Sequence, residues 1–258
     1  MSTSIYCGLQ AKRLEDIRQL KELSIKLTRE WSMKSLGYDI TVRDEERDQY
    51  MGFHIEEDGV TWNYFDGSGL HDTSAEIRAL IQNVADKFPN IGLQKWISAE
   101  GPCVYEALFK DGQWLEIKQY TLDVYVEQDA DYRILADLTA DDAFRNRYNV
   151  KNVKLDEQEH FLLLTFEKLP VHEQDLYFDG IVSEMSGLLP GKDMYCFIVE
   201  DSNEGNAFEK KAVIRNGAAN WQDITREEIK HLEANSDFLY GDNVPKAEYI
   251  GLLFGKSF

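Results

Sequence analysis

The side chains that most often bind metals or act as nucleophiles are few and scattered in this sequence. It contains five histidines and three cysteines, and none of them forms an HExxH, a CxxC or another spacing typical of a zinc site. No serine lies in a GxSxG segment, and no cysteine has a basic neighbour in sequence that would activate its thiolate. The sequence therefore predicts no catalytic residue, no metal site and no bound cofactor.

Acidic side chains, in contrast, are abundant. Asp and Glu number 47 against 28 Lys and Arg, for a formal net charge of -19. Solubility of a small domain needs a net charge of only about 2 to 8. A surface this negative repels nucleic acid and anionic membranes and attracts basic proteins.

The acidic residues that fall in predicted turns and helix starts are candidates for a docking surface. Complementary charge steers a partner and fixes its orientation. The candidate partner-binding residues are Glu56, Glu57, Asp58, Asp129, Asp131, Asp156 and Glu157. An ordinary solvated surface explains the same pattern, because the helix dipole alone favours acidic residues in a first helical turn. Both interpretations stay open at this point.

The elements that must position these residues are indicated by hydrophobic periodicity. In the first half, residues 51–55 and 60–64 alternate around an Asp58-Gly59 turn, which predicts a hairpin. Apolar residues recur at helical spacing in residues 14–31, before this hairpin, and in residues 77–88, after it. The predicted order in residues 1–118 is β-α-β-β-α-β-β.

The second half repeats this order. Thr225 with Glu228 three residues later predicts a capped C-terminal helix, and the apolar residues 249–254 predict a last strand. We therefore predict an α+β fold of two tandem ferredoxin-like halves, residues 1–118 and 119–258, with antiparallel-rich sheets and helices on one face.

Single residues also repeat between the halves. Gly112 corresponds to Gly217 and Trp114 to Trp221, at an offset of roughly a hundred residues, well above the repeat length of a solenoid. An internal duplication explains these matches. Glycines in turns and tryptophans near hairpins of any two α+β halves explain them as well, and both explanations stay open.

One short segment resembles a known family. Ala99-Glu100-Gly101 followed by Phe109-Lys110-Asp111-Gly112-Gln113-Trp114 is similar to the closing hairpin of the ferredoxin-like domain in Api92/YubB-type proteins of plasmids and phages. The second half departs from the pattern, because Ala218-Ala219-Asn220 intervenes before Trp221. The resemblance implies the fold and a mobile-element setting, and no catalytic residue carries over from it.

Cysteine usage and hydropathy bear on localisation. No apolar run approaches the roughly 20 residues that cross a bilayer, and no signal peptide is recognisable at Met1. Three widely spaced cysteines are typical of a reducing compartment. We expect a cytoplasmic protein that binds neither nucleic acid directly nor membranes.

These observations lead to one main hypothesis. Strong negative charge without a catalytic motif favours a non-enzymatic protein-binding module, such as an inhibitor, anti-defence or immunity-type factor. Its partner would be a basic protein, for example one that itself binds nucleic acid. A pull-down that weakens as salt rises would be the expected behaviour.

Two other classes of function stay open. A regulator could bind a small molecule or nucleotide in a cleft between the halves. A divalent-metal-dependent enzyme could use carboxylates that meet only in space. An exposed sheet edge would also allow a homodimer.

Overall fold

Helices and antiparallel strands alternate along the chain, so the predicted α+β class is confirmed. The computed structural model describes residues 3–42, 51–66, 74–99, 104–171, 173–202, 205–217, 219–236 and 247–255. The chain forms two compact units, Met1–Ile117 and Lys118–Phe258. Within the described ranges, no helix is both long enough and apolar enough to cross a membrane.

The first unit is an antiparallel sheet with helices α1 and α2 packed on it. Its elements are β1 (Thr3–Gln10), α1 (Leu14–Ser35), β2 (Gly52–Ile55), β3 (Gly59–Asp66), α2 (Ser74–Ala85), β4 (Gln94–Ala99), β5 (Val104–Lys110) and the start of β6 (Gln113–Tyr125). The strand order is β2-β3-β1-β4-β5-β6. Alternate residues of β1 and β3, such as Cys7 and Trp62, form one core with both helices.

The face of α1 that meets this core combines Leu20 with small polar residues. Ser24, Thr28 and Ser32 are fully buried, and Thr28 Oγ1 accepts a hydrogen bond from Trp62 Nε1 at 3.0 Å. Small side chains let the helix approach the large indole closely, and the hydroxyl satisfies its buried N–H.

The segment that resembles Api92/YubB-type proteins includes the β5–β6 hairpin. Lys110 pairs with Gln113, and Asp111 and Gly112 between them have φ of 51° and 78°. Positive φ at both central residues is the type I′ geometry that matches the strand twist. Glu100 and Gly101, which also carry the resemblance, lie outside the described residues.

The second unit is built on a similar plan with additional elements. After the end of β6 come α3 (Asp129–Ala140), α4 (Asp142–Arg147), β7 (Val150–Asp156), β8 (Phe161–Phe166), β9 (Leu169–Pro170), α5 (Gln174–Gly187), β10 (Met194–Ser202), β11 (Gly205–Ile214), β12 (Gln222–Asp223), α6 (Arg226–Asn235) and α7 (Ala247–Phe254). Its strand order is β7-β8-β6-β10-β11-β12, with β9 also paired to β6.

Both faces of the second sheet are covered. Leu122 and Val124 of β6 belong to one core with α3, α4 and α5, whereas Tyr125 belongs to a second core with Leu232 of α6 and Ile250 of α7. The prediction of helices on one face is therefore wrong for this unit. The reason is that the opposite face carries large aromatic side chains that must be buried.

The predicted C-terminal strand is also wrong, because residues 249–254 belong to helix α7. Tyr249, Ile250 and Leu253 are the residues of α7 buried in the second core. Their spacing of one and four positions is that of a helix face, which a strand could not place on one side.

A buried lysine connects α6, α7 and the sheet. Lys211 of β11 is 7% exposed; its Nζ donates to the Leu253 carbonyl at 2.6 Å and to the Glu228 carboxylate. Glu228 also accepts from the Thr225 backbone N–H at 2.8 Å, closing the predicted capping box. The lysine thus neutralises Glu228 and caps the C-terminal end of α7.

Replacing Lys211 by methionine should destabilise the second unit by about 3 kcal/mol, because it leaves a carboxylate and a helix-end carbonyl without their donor. Urea unfolding followed by circular dichroism measures the change. Lys230→Met is the matched control, since Lys230 is an exposed lysine of α6. Equal stability of the two variants would contradict a structural role for Lys211.

Candidate functional site

Four of the seven predicted acidic residues lie in two segments of the second unit that meet. Asp129 and Asp131 occupy the first turn of α3, and Asp156 and Glu157 lie where β7 ends and the turn to β8 begins. Burial, followed by the nearby carboxylates of Glu157, Asp156 and Asp129, raises the pKa of the Tyr132 phenol. The two segments therefore lie close together at Tyr132, in agreement with the packing of α3 against β7 and β8.

The β7–β8 turn is fixed by local chemistry. Asp156 Oδ1 accepts the backbone N–H groups of Gln158 at 3.1 Å and Glu159 at 3.0 Å, an Asx-type turn that short acidic side chains favour. His160 ends the turn with a φ of 55°. Its ring stacks on Tyr132 with centroids 5.7 Å apart and an interplanar angle of 29°.

Tyr132 is the unusual member of this group. The residue is only 3% exposed, and its hydroxyl has no hydrogen-bond partner among the described residues. Buried hydroxyls are almost always paired, because an unpaired one loses its bonds to water without compensation. We call Asp129, Asp131, Tyr132, Asp156, Glu157 and His160 the Tyr132 site.

Among the described residues, two basic side chains pair with acidic residues of this site. Arg133 Nε lies 3.0 Å from Asp129, and both side chains are more than half exposed. Lys192 Nζ lies 4.0 Å from Asp131. The Arg133–Asp129 pair is exposed, and exposed pairs contribute little energy and are easily exchanged for a partner's charge.

Two more acidic residues border the site. Tyr125 has its pKa raised by burial and then by the carboxylates of Glu127 and Glu159. Sequence reasoning missed these two glutamates as well as Tyr132. The sequence signal that could have pointed to Tyr132 is its spacing from Asp129, since residues three apart lie on the same face of a helix.

The other three predicted residues lie in the first unit. Glu56, Glu57 and Asp58 are exposed in the β2–β3 turn, where the Glu56 N–H donates to the Gly59 carbonyl at 3.1 Å. Lys21 Nζ donates to the Glu57 carbonyl at 2.9 Å. Their backbone groups close a hairpin, which is a sufficient reason for turn-forming residues at these positions.

A second polar cluster joins β6, β10, β11 and α5. Lys118 Nζ lies 2.7 Å from Glu200 Oε2, and Gln174 Nε2 donates to Glu209 Oε2 at 3.1 Å. Burial and the neighbouring Glu200 carboxyl raise the pKa of Glu209 to about 7. Glu209 falls at the register shift between β10 and β11, and such bulges redirect side chains.

That carboxyl pair could exchange a proton near neutral pH, which is the property of a general acid or base. Each of its members is already engaged, however, by Lys118 or by Gln174. In the part of the chain that the structure describes, no three His, Cys, Asp or Glu side chains converge closely enough to hold a metal ion. The pair is therefore a weaker candidate than the Tyr132 site.

The described cysteines are poor nucleophiles. Cys7 and Cys196 are free and buried, and burial raises the pKa of Cys7 to about 12. Burial likewise raises the pKa of Cys196. Neither thiol ionises near neutral pH, so thiolate chemistry at these two positions is disfavoured.

Comparison with known proteins adds no family to these observations. No protein-family model matches the chain, and no curated protein is similar to it by sequence. The resemblance to Api92/YubB-type proteins therefore stays a prediction. A function must be argued from the Tyr132 site itself.

Proposed function

We propose that this chain is a non-enzymatic, cytoplasmic protein-binding module that docks on a basic protein through the Tyr132 site. The observation that supports this most is the packing of α3 against β7 and β8, with the His160 ring at the end of the β7–β8 turn stacked on Tyr132 of α3. Acidic residues that were separate in sequence thereby form one surface with a shared aromatic centre. Such a surface can hold a partner in one orientation.

The charge of the whole chain supports the same proposal. A formal charge of -19 produces a field that accelerates encounter with a positive partner and repels nucleic acid. The interaction should therefore weaken as salt rises, because ions screen exposed charges over about 8 to 10 Å.

We further infer that the two units are ferredoxin-like copies of one ancestral module. With the two-residue strand β9 set aside, four strands of each unit are arranged alike, as β2-β3-β1-β4 and as β7-β8-β6-β10. In both units a helical segment follows the first of these strands and another precedes the last of them. A setting on a plasmid or phage, and a role as an inhibitor, anti-defence or immunity-type factor, are part of this proposal and are motivated by the resemblance of residues 109–114.

Removing three charges from the Tyr132 site should weaken binding to the partner roughly ten-fold, since each contact charge contributes a few tenths to one kcal/mol. The variant is Asp129→Asn with Asp156→Asn and Glu157→Gln. Asparagine keeps the acceptor that Asp156 offers to the turn. Proteins captured from the source lysate by the wild type and the variant are identified by mass spectrometry, and the strongest is then titrated as a purified protein.

The matched control is Asp137→Asn with Asp142→Asn and Glu227→Gln, which are exposed residues elsewhere in the second unit. This control changes the net charge equally. A partner lost by the first variant and kept by the control would support the proposal. Equal loss in both would show that only total charge matters, and binding unaffected by salt would contradict the proposal.

A further inference from the structure

We propose that the Tyr132 site recognises an arginine side chain of the partner, an inference that rests on the proposed function and adds the chemistry of the contact. The polar groups around the stacked Tyr132 and His160 rings include several acceptors: the carboxylates of Asp129, Asp156 and Glu157, which lie near enough to raise the pKa of Tyr132, and the Tyr132 hydroxyl oxygen. A set of acceptors requires a ligand that carries several donors and a positive charge.

The spread of these acceptors disfavours a single metal ion. Hard divalent cations draw their ligands to within about 2.0 to 2.6 Å of one point. Among the residues that the structure describes, no three acidic, histidine or cysteine side chains come together in that way. An extended cation, in contrast, can reach acceptors on two segments at once.

Arginine fits this arrangement better than lysine. A guanidinium has five N–H donors in a rigid plane and stacks on aromatic rings, whereas an ammonium is a compact, strongly hydrated charge. The stacked rings of His160 and Tyr132 supply an aromatic surface beside the carboxylates, and His160 is only partly buried.

The Tyr132 hydroxyl supplies the selectivity. It is buried and without a hydrogen-bond partner in the described structure, so a guanidinium N–H that reaches it supplies a partner to a buried acceptor. The β7–β8 turn, which holds His160 against the Tyr132 ring, must shift to admit the guanidinium. Glu157 and Gln158 at the tip of this turn are exposed.

The test compares three peptides that differ only in the cationic residue. Acetyl-Gly-Arg-Gly-Arg-Gly amide, its lysine analogue and its uncharged citrulline analogue are titrated into the full chain at low salt and followed by amide chemical shifts. We expect the arginine peptide to bind about ten-fold tighter than the lysine peptide, because the guanidinium adds a charge-assisted hydrogen bond to the Tyr132 hydroxyl. The citrulline peptide should not bind, and the shifts should centre on Asp129, Tyr132 and His160.

Tyr132→Phe should reduce the affinity for the arginine peptide to that for the lysine peptide. The variant is expected to fold, since the hydroxyl that it removes has no partner. Tyr6→Phe, at an exposed tyrosine of the first unit, should leave the preference unchanged. The inference would be overturned if the wild type bound both cationic peptides equally or bound neither. It would also be overturned if the preference for arginine survived Tyr132→Phe. Salt-dependent capture of a basic partner would still stand in those cases, so the two proposals fail separately.

Discussion

Replacing Asp123 by asparagine is expected to raise the free energy of unfolding at about pH 8 by up to about 4 kcal/mol and to change it little at about pH 4. Asp123 lies in the middle of β6 and is 1% exposed. Its neighbours across the sheet are Leu163 of β8 and Phe197 of β10. One carboxyl oxygen, Oδ1, has no hydrogen-bond partner within the described structure.

The pH dependence follows from the protonation of this carboxyl group. Desolvation by burial raises the pKa of Asp123 to about 7, although a hydrogen bond with Thr121 acts in the opposite direction. An unfolded aspartate has a pKa of about 3.9. Between these two values the folded state holds a proton that the unfolded state has lost, so stability falls as pH rises through this window. Below about pH 4 both states are protonated, and above about pH 7 the loss is complete.

Unfolding by urea at a series of pH values measures this effect. The wild type should lose stability from about pH 4 to pH 7, whereas Asp123→Asn should show a smaller slope, because an amide does not titrate. Asp137→Asn, at an exposed position of α3, should keep the wild-type slope. Parallel curves for the wild type and Asp123→Asn would mean that another group controls the pH dependence.

Short-range sequence patterns were sufficient to predict those elements whose signals span only a few residues. The alternation in residues 51–64 gave the β2–β3 hairpin, and its observed pairing is Phe53 with Trp62 and Ile55 with Val60. Thr225 and Glu228 form the predicted capping box at α6. In these cases, side-chain alternation and capping chemistry do not depend on the rest of the fold.

Long-range packing decided the parts that the sequence did not predict. Residues 249–254 are apolar enough for a strand. In the structure they form a helix that packs on the aromatic residues of one sheet face. Along α1, the predicted apolar stripe includes Leu14, which is 74% exposed, whereas Ser24 and Thr28 are buried. The hydrogen bond from Trp62 to Thr28 joins residues 34 positions apart, and no periodicity in the helix reveals it.

The candidate site, too, could be predicted only in part from the sequence. Acidic residues could be assigned to helix starts and turns, but the contact of α3 with the β7–β8 turn depends on the pairing of β8 with β6. Tyr132 was not identified as a site residue from the sequence. Its missing hydrogen-bond partner could be recognised only once its neighbours in space were known.

Substituting Gly59 by alanine should destabilise the first unit by about 3 kcal/mol or more, which is at the upper end for a single added methyl group. Gly59 begins β3 directly opposite Gln10 of β1. A Cβ atom there would lie 1.9 Å from the Leu9 carbonyl oxygen and 2.9 Å from the Leu9 carbonyl carbon. These are backbone atoms, so no rotation of a side chain can relieve the overlap.

The effect should extend along the sheet, because β1 lies between β3 and β4. Moving Leu9 away from position 59 would weaken the β1–β3 ladder and shift a leucine that is fully buried in the core of the first unit. Gly187→Ala is the matched control, since a Cβ at the end of α5 meets no atom within 4 Å and alanine favours a helix by up to about 1 kcal/mol. Urea unfolding of both variants should therefore give changes of opposite sign. A Gly59→Ala protein as stable as the wild type would show that the β1–β3 pair can separate without loss, and that the hairpin does not fix β1 in its place.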